Sequence, residues 1–439
     1  MDYLYLYLLV LGLPVLWYVT RQQVRSMAHA KALKEAEAAG LNEPPSLHPV
    51  IDPGKCIGSG SCITACPEKA LGMVGGKAVL INASACIGHG ACLPACPFDA
   101  IALVFGTEKR GMEIPPVSPE FESNVPGLYI AGELGGMGLI RKAAEQGRQA
   151  IDAIAKRRAA APAANGSGGS SDGHDVVIIG CGPAGISAGL AAKAHGLRYR
   201  LIEQEDALGG TVYHYPRNKI AMTAPVDLAI IGKVRFGEVK KEKLLAFWQE
   251  VVAKTQLKIS FSERMEDINP VDGGFVIKTS RGEHRSRTVL LAMGRRGTPR
   301  KLGVPGEESP KVVYRLTDAV QYAGQSVLVV GGGDSALEAA IALAEEKGTD
   351  VTLSYRSAAF SRVKGKNRSR LEALQKSGRI QVLLNSQVTR VEPDEVHIAE
   401  GDRTHTLRNE AIIVCAGGLP PTPLLQKIGV RFETKHGEV

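Results

Sequence analysis

Aromatic residues make up only 5% of this 439-residue chain, and neither sign of charge dominates. Lys and Arg number 53 against 45 Asp and Glu, a formal net charge of +8. A nucleic-acid groove wants basic residues interleaved with aromatic ones on which bases stack. Here the basic excess sits in short clusters such as Lys156-Arg157-Arg158 and 362–370, so nucleic acid is excluded as a partner. Cysteine is sparse as well, with eight in all. A secreted disulfide scaffold is short and cysteine-dense along its whole length, which this chain is not. Six of the eight cysteines fall between positions 56 and 96 at matched spacings. That bunching reads as metal ligands in a reducing compartment.

Long uncharged runs are also few, and the N-terminal one, "YLYLYLLVLGLPVLWYVT" (3–20), stands out. Its length is close to the minimum of about 17–20 apolar residues that span a bilayer. It lacks the basic start and small-residue cleavage site of a secretory leader. Tyr3, Tyr5, Tyr7, Trp17 and Tyr18 lie near its ends, and Arg21 and Arg25 follow it. The expectation is a single-pass anchor over 1–21 in the cell inner membrane, with the rest of the chain cytoplasmic. The alternative is an interfacial or buried helix, since Pro14 and the marginal length weaken a span. An Ala/Glu/Lys-rich helical stretch then leads through a spacer (22–49).

Residues 50–106 are internally duplicated: "CIGSGSCITACPEKAL" against "CIGHGACLPACPFDAI". Both runs resemble the bacterial two-cluster ferredoxin pattern C-x2-C-x2-C-x3-C-P, in which the fourth cysteine of each run ligates the other cluster. Structural zinc instead prefers paired C-x2-C knuckles. The resemblance implies one iron–sulfur cluster on Cys56, Cys62 and Cys96, and another on Cys86, Cys92 and Cys66. In each run the second ligand position lacks its cysteine and holds Ser59 or His89. Either these residues ligate iron directly, or the unfilled corner leaves a [3Fe-4S] in place of a [4Fe-4S] cluster. A third reading makes His89 a solvent-facing bystander.

From residue 175 onward strands and helices alternate, the pattern of parallel sheets with crossover helices. "DVVIIGCGPAGISAGLAAKAHGLRYRLIEQE" (175–205) is a strand, a G-x-G-x-x-G turn, a helix, a second strand and an acid. Gly180 makes the tight turn, Gly182 lets backbone approach a pyrophosphate, and Gly185 allows close helix–strand packing, with Pro183 and Ala184 between. Glu203 is placed to accept hydrogen bonds from a ribose hydroxyl. A second unit, "QSVLVVGGGDSALEAAIALAEEKGTDVTLSYR" (325–356), offers Gly331, Gly333 and Ala336, followed by Asp334 and Ser335 at the helix start. What it lacks is the acid. Its second strand ends in Ser354-Tyr355-Arg356, with Arg362 and Lys364 close behind. Cations in place of a carboxylate suit a 2′-phosphate, hence NADPH over NADH; the alternative is a solvated basic loop.

Two such units in this order resemble the pyridine-nucleotide–flavin oxidoreductases, in particular the thioredoxin-reductase-like branch. "GGTVYHYP" (209–216), with Gly210 and Thr211, resembles the bacillithiol-disulfide-reductase-like members. The resemblance implies FAD on the first unit and the nicotinamide nucleotide on the second. Two features of the family are missing. No C-x-x-C occurs after residue 175, so thiol–disulfide exchange is disfavoured. Cys181, inside the glycine loop, reads as packing, and Cys415, in an apolar strand, as core. The family's closing strand and helix, whose start faces the flavin, is also absent from the end of the sequence. "VPGLYIAGELGG…AAEQGRQAI", with Gly132 and Glu133, matches it but precedes the first glycine loop. The expectation is a circularly permuted flavin domain, reconnected through the linker-like 159–174, which reaches roughly 20–24 Å as a random coil. Truncation, or exchange of this element between protomers of a homodimer, would leave the same pattern.

The expected fold class is α/β: two Rossmann-like subdomains for FAD and NAD(P), a small α+β two-cluster ferredoxin-like module, and the N-terminal transmembrane helix. Expected bounds are a permuted element at 120–158, the flavin domain at 175–297 and 409–439, and the nucleotide domain at 298–408. Nicotinamide gives two electrons as hydride, a cluster takes one at a time, and flavin does both. An NAD(P)H oxidoreductase of ferredoxin–NADP reductase type is therefore expected, working to or from a one-electron carrier or a membrane redox partner such as a quinone. A low-molecular-weight disulfide reductase and a non-catalytic electron-wiring or sensing subunit are the other readings.

Overall fold

The computed structural model describes residues 2–38, 43–44, 46–108, 110–160, 173–295, 297–360 and 363–438. Side chains of residues 2–9, 222 and 298 are not part of that description. Most of the 159–174 segment lies outside it, as does Arg362.

The first helix runs unbroken from Asp2 to Ala38, through Pro14. Among the described residues no helix is long and apolar enough to cross a membrane. The single-pass anchor expected over 1–21 therefore has no support among the described residues. The spacer is also no free tether. His29 of this helix accepts a hydrogen bond from the Met73 N–H at its Nδ1 (3.0 Å), and Gly72 leaves the room, since a Cβ there would sit 2.9 Å from the His29 ring.

The six-cysteine module is built on two small antiparallel pairs. His48–Ile51 pairs with Ile101–Val104, and Leu71–Val74 with Lys77–Leu80 across the Gly75-Gly76 turn. Both turn glycines have positive φ (57° and 77°), as a two-residue hairpin turn of matching twist demands. Few apolar side chains fill this module, and the cysteines themselves are core: Cys56, Cys62 and Cys92 are buried with Leu71, Ala78, Ala100 and Ile101.

The larger body holds a mixed seven-stranded sheet and an all-parallel five-stranded one. In the first, the C-terminal half of Gly282–Leu291 is flanked by His174–Ile179 on one side and Leu128–Ile130 on the other, both parallel to it. Tyr199–Ile202 continues the sheet beyond His174–Ile179. Thus a strand encoded before the first glycine loop completes the sheet that the loop leaves. Its helix, Ile140–Ala160, lies against the loop's own helix, Pro183–Ala194, with Gly147 at the contact: a Cβ there would stand 2.1 Å from the Ala184 carbonyl oxygen. Ala150, Ile151 and Ile154 bury the inner face of the helix against Ile178, Ile186 and Leu190. The second sheet is five parallel strands in the order Val312–Val313, Ala411–Val414, Ser326–Val330, Asp350–Ser354, Ile380–Leu383.

Three contacts fix the module and the segment that follows it to this body. Glu433–Lys435 pairs antiparallel with Met112–Ile114. Asn124 donates through Nδ2 to the Gly429 carbonyl and accepts from the Arg431 N–H, both at 2.8 Å. Phe105 packs on Gly136, where a Cβ would meet the ring at 2.9 Å.

Candidate active-site cleft and cysteine module

The two glycine loops open on one cleft. Gly132, Glu133, Gly180, Gly182, Pro183, Ala184, Glu203, Gly210, Thr211, Gly331, Gly333, Asp334, Ser335 and Arg356 all line it. Gly185 stands behind the lining, where a Cβ would be 1.8 Å from the Gly180 carbonyl oxygen. Gly180 takes φ 104°, and a Cβ there would fall 2.7 Å from the Ala292 carbonyl. The middle glycines face space instead. Around Gly333 a Cβ would meet nothing within 4 Å, and at Gly182 only the Gly210 Cα at 4.0 Å. A cradle that a side chain would fill, at the start of a helix, fits a pyrophosphate in both units.

Glu203 is buried and its carboxylate pins the first loop: Oε2 accepts from the Cys181 N–H (2.6 Å) and Oε1 from the Glu205 N–H (3.0 Å). Burial pushes its pKa up, against those two hydrogen bonds. Each oxygen keeps a second lone pair, so a ribose hydroxyl can still be received. Asp334, which lines the cleft, also ties down the basic loop. Its Oδ1 accepts from the Lys364 N–H (2.9 Å) and the Asn367 amide (2.8 Å), fixing the basic loop to the start of the loop helix. Arg356 projects exposed into the cleft.

Glu133 is half-buried, and its carboxylate lies 3.6 Å from a Cβ position at Gly294 on the opposite wall. Gln146, inside the quoted AAEQGRQAI stretch but not singled out there, accepts at its Oε1 from the Gly132 N–H (2.8 Å) and holds that turn at φ 82°. Lys219 and Glu338 also went unread; their 2.5 Å ion pair bridges the two units across the cleft. Cys181 is fully buried, and desolvation drives its thiol pKa far up. Cys415 packs on the second core but is only half-buried and reaches the cleft wall, which corrects its reading as plain core.

In the module the six thiols gather as the cross-ligation pattern implies. Burial, then the nearby Cys56 and Cys96, hold the Cys62 thiol pKa up. Burial also raises Cys86, which neighbours Cys66. Cys92 is pushed up to about 11 by burial and by Cys86 and Cys66. Thiols crowded in apolar surroundings resist ionising without a cation, and that donor set fits iron–sulfur chemistry. Among the described residues no three potential ligands converge for a single metal ion; a multi-atom cluster uses a wider arrangement. His89 is half-buried and lines a cavity with Cys66, Cys86 and Cys92, whereas Ser59 is exposed. Burial lowers the His89 pKa, Glu68 opposes that and Lys364 adds to it, so its imidazole is neutral at physiological pH.

Two nucleotide-binding units around a shared glycine-lined cleft, joined to a six-thiol module, define a flavin- and pyridine-nucleotide-dependent oxidoreductase. Residues 177–438 match the family model for pyridine nucleotide-disulphide oxidoreductases, and the chain belongs to that family. Residues 48–97 match a 4Fe-4S dicluster domain. The chain is 28% identical over 269 residues to the bacilliredoxin reductase Bdr of Bacillus subtilis, covering 60% of this chain and 82% of the relative. It is 31% identical over 233 residues to a ferredoxin–NADP reductase of Ignicoccus hospitalis, covering 53% and 69%. Among solved structures it resembles the bacillithiol disulfide reductase Bdr of Staphylococcus aureus, with TM-score 0.53, 26% identity and coverage of 58% and 80%.

Proposed function

We propose that the protein moves electrons between NADPH and a one-electron carrier, by way of FAD in the cleft and two clusters in the cysteine module. The observation that carries this reading is the seating of the module on the flavin side of the cleft. Phe105 leans on the loop that presents Glu133, and Arg295, next to the cleft-lining Gly294, donates to the Glu113 carbonyl (3.0 Å). Flavin supplies the conversion between hydride and single electrons. The residues do the rest: Glu203 and the first glycine loop hold the dinucleotide, and the strand and helix from 128 to 160 close the same site. We read this as a circular permutation of the flavin domain. Relatives named as ferredoxin–NADP reductases favour this reading. The likeness to bacilliredoxin reductase favours a disulfide substrate instead, but the buried, protonated Cys181 gives such a reaction no thiolate. Anaerobic NADPH titration, followed by absorbance and EPR together, tests the proposal. Flavin should bleach first and cluster signals follow in the same molecule; bleaching without any cluster signal would overturn it.

The nucleotide preference is a separate expectation. Arg356 stands where an acid would bind a ribose hydroxyl, and losing a hydrogen bond to a charged group costs about 1.5–3 kcal/mol. Arg356→Ala should therefore narrow the preference for NADPH over NADH by about tenfold or more, read from rates of flavin reduction. Equal rates with both nucleotides in the parent would sink the assignment.

A further inference from the structure

Glu68 follows the Cys66-Pro67 pair, and its carboxylate Oε1 is buried with no hydrogen-bond partner. A buried carboxylate oxygen without a donor is costly, more so than a neutral group. It lines the small pocket that Cys66, Cys86, Cys92 and His89 also line. The charge of Glu68 is felt by both His89 and Cys86. The cavity thus holds a carboxylate in want of a donor, and an imidazole with two ring nitrogens beside three thiols.

The internal repeat supplies an independent comparison. The residue after the Cys-Pro pair is Glu68 in the first run and Phe98 in the second. Because the fourth cysteine of each run serves the other site, Glu68 falls to the site that has His89, and Phe98 to the site that has Ser59. Where the odd ligand position holds an imidazole, the facing position is a carboxylate. Where it holds an exposed serine, the facing position is a phenyl ring, itself 43% exposed. A metal-bound histidine characteristically donates its other ring N–H to a carboxylate, which fixes its tautomer and orientation.

We propose that Glu68 is a positioning residue that accepts the ring N–H of His89 and so presents the other ring nitrogen as fourth protein ligand beside Cys66, Cys86 and Cys92. The proposal rests on the reading of the six cysteines as cluster ligands. It makes the two sites unequal: one has four protein ligands, and the other, with Ser59 turned to solvent, has three.

The test is pulsed EPR on the dithionite-reduced holoprotein, with histidine labelled in ¹⁵N. The parent should show the strong coupling of a directly bound histidine nitrogen. Glu68→Gln keeps an acceptor oxygen and should keep that coupling, whereas Glu68→Leu should lose it, with flavin content unchanged in both. Absence of histidine coupling in the parent, or its full retention in Glu68→Leu, would overturn the proposal. Iron and sulfide analysis of the parent separates the two levels of inference: a protein without clusters would defeat the underlying reading as well.

Discussion

Replacing Gly147 with valine is expected to strip the protein of its flavin. The glycine lies on the helix Ile140–Ala160, in sequence before the first glycine loop, yet a Cβ there would be 2.1 Å from the Ala184 carbonyl oxygen and 2.8 Å from its carbon. Those atoms are backbone, so no rotamer change relieves the clash. Overpacking a core typically costs about 1–3 kcal/mol, and a clash with main chain belongs at the upper end or beyond. The strain also lands on the cofactor cradle, because Ala184 follows Gly182 and Pro183 at the helix start. Gly147→Val should therefore purify with little FAD and melt at lower temperature, measured by absorbance and calorimetry. Full flavin occupancy with unchanged melting would mean that this helix is not part of the flavin site.

The second large effect is expected from Cys62→Ser combined with Cys92→Ser. Both side chains are buried in the small module and neither touches the cleft. NADPH should still bleach the flavin at close to the parent rate, while transfer to a one-electron acceptor protein is lost. The logic is stoichiometric: hydride cannot be handed whole to a one-electron carrier, so the route from flavin to that carrier is where the cysteines act. If the variant reduces a ferredoxin-like acceptor at the parent rate, the module is off the path and the flavoprotein acts alone.

Much of the cleft was legible in the sequence, because strand–glycine–helix units carry their constraint locally. Gly180 needs a positive φ, Gly185 needs close packing, and both needs are met within a few residues of chain. The displaced strand and helix were legible for the same reason, as a motif recognisable wherever it stands. Illegible were the features that depend on distant chain. His29 is one residue among many on a long helix, and only the hairpin 44 residues away gives it a partner. Lys219 and Glu338 carry no motif, since any polar residue at those positions would read as surface, and Gln146 sits inside a quoted motif without marking its own role. The bonds by which Asp334 Oδ1 also holds Lys364 and Asn367 depend on chain about 30 residues away.

The order of the strands has a further consequence during synthesis. The helix Ile140–Ala160 leaves the ribosome with the apolar face of Ala150, Ile151 and Ile154 formed, but its partners are encoded later. Gly282–Leu291, the strand that receives Leu128–Ile130, ends 131 residues after Ala160. At about 5–20 residues per second, Leu128–Ile130 waits on the order of ten seconds for that neighbour, while the helix face meets Ile178, Ile186 and Leu190 within a few seconds. A related enzyme with the element at its C-terminus would add it last, onto a finished sheet. Here the nascent chain must shelter an early apolar strand, and yield in a foreign host should respond to trigger-factor-type chaperones more than stability alone would lead one to expect.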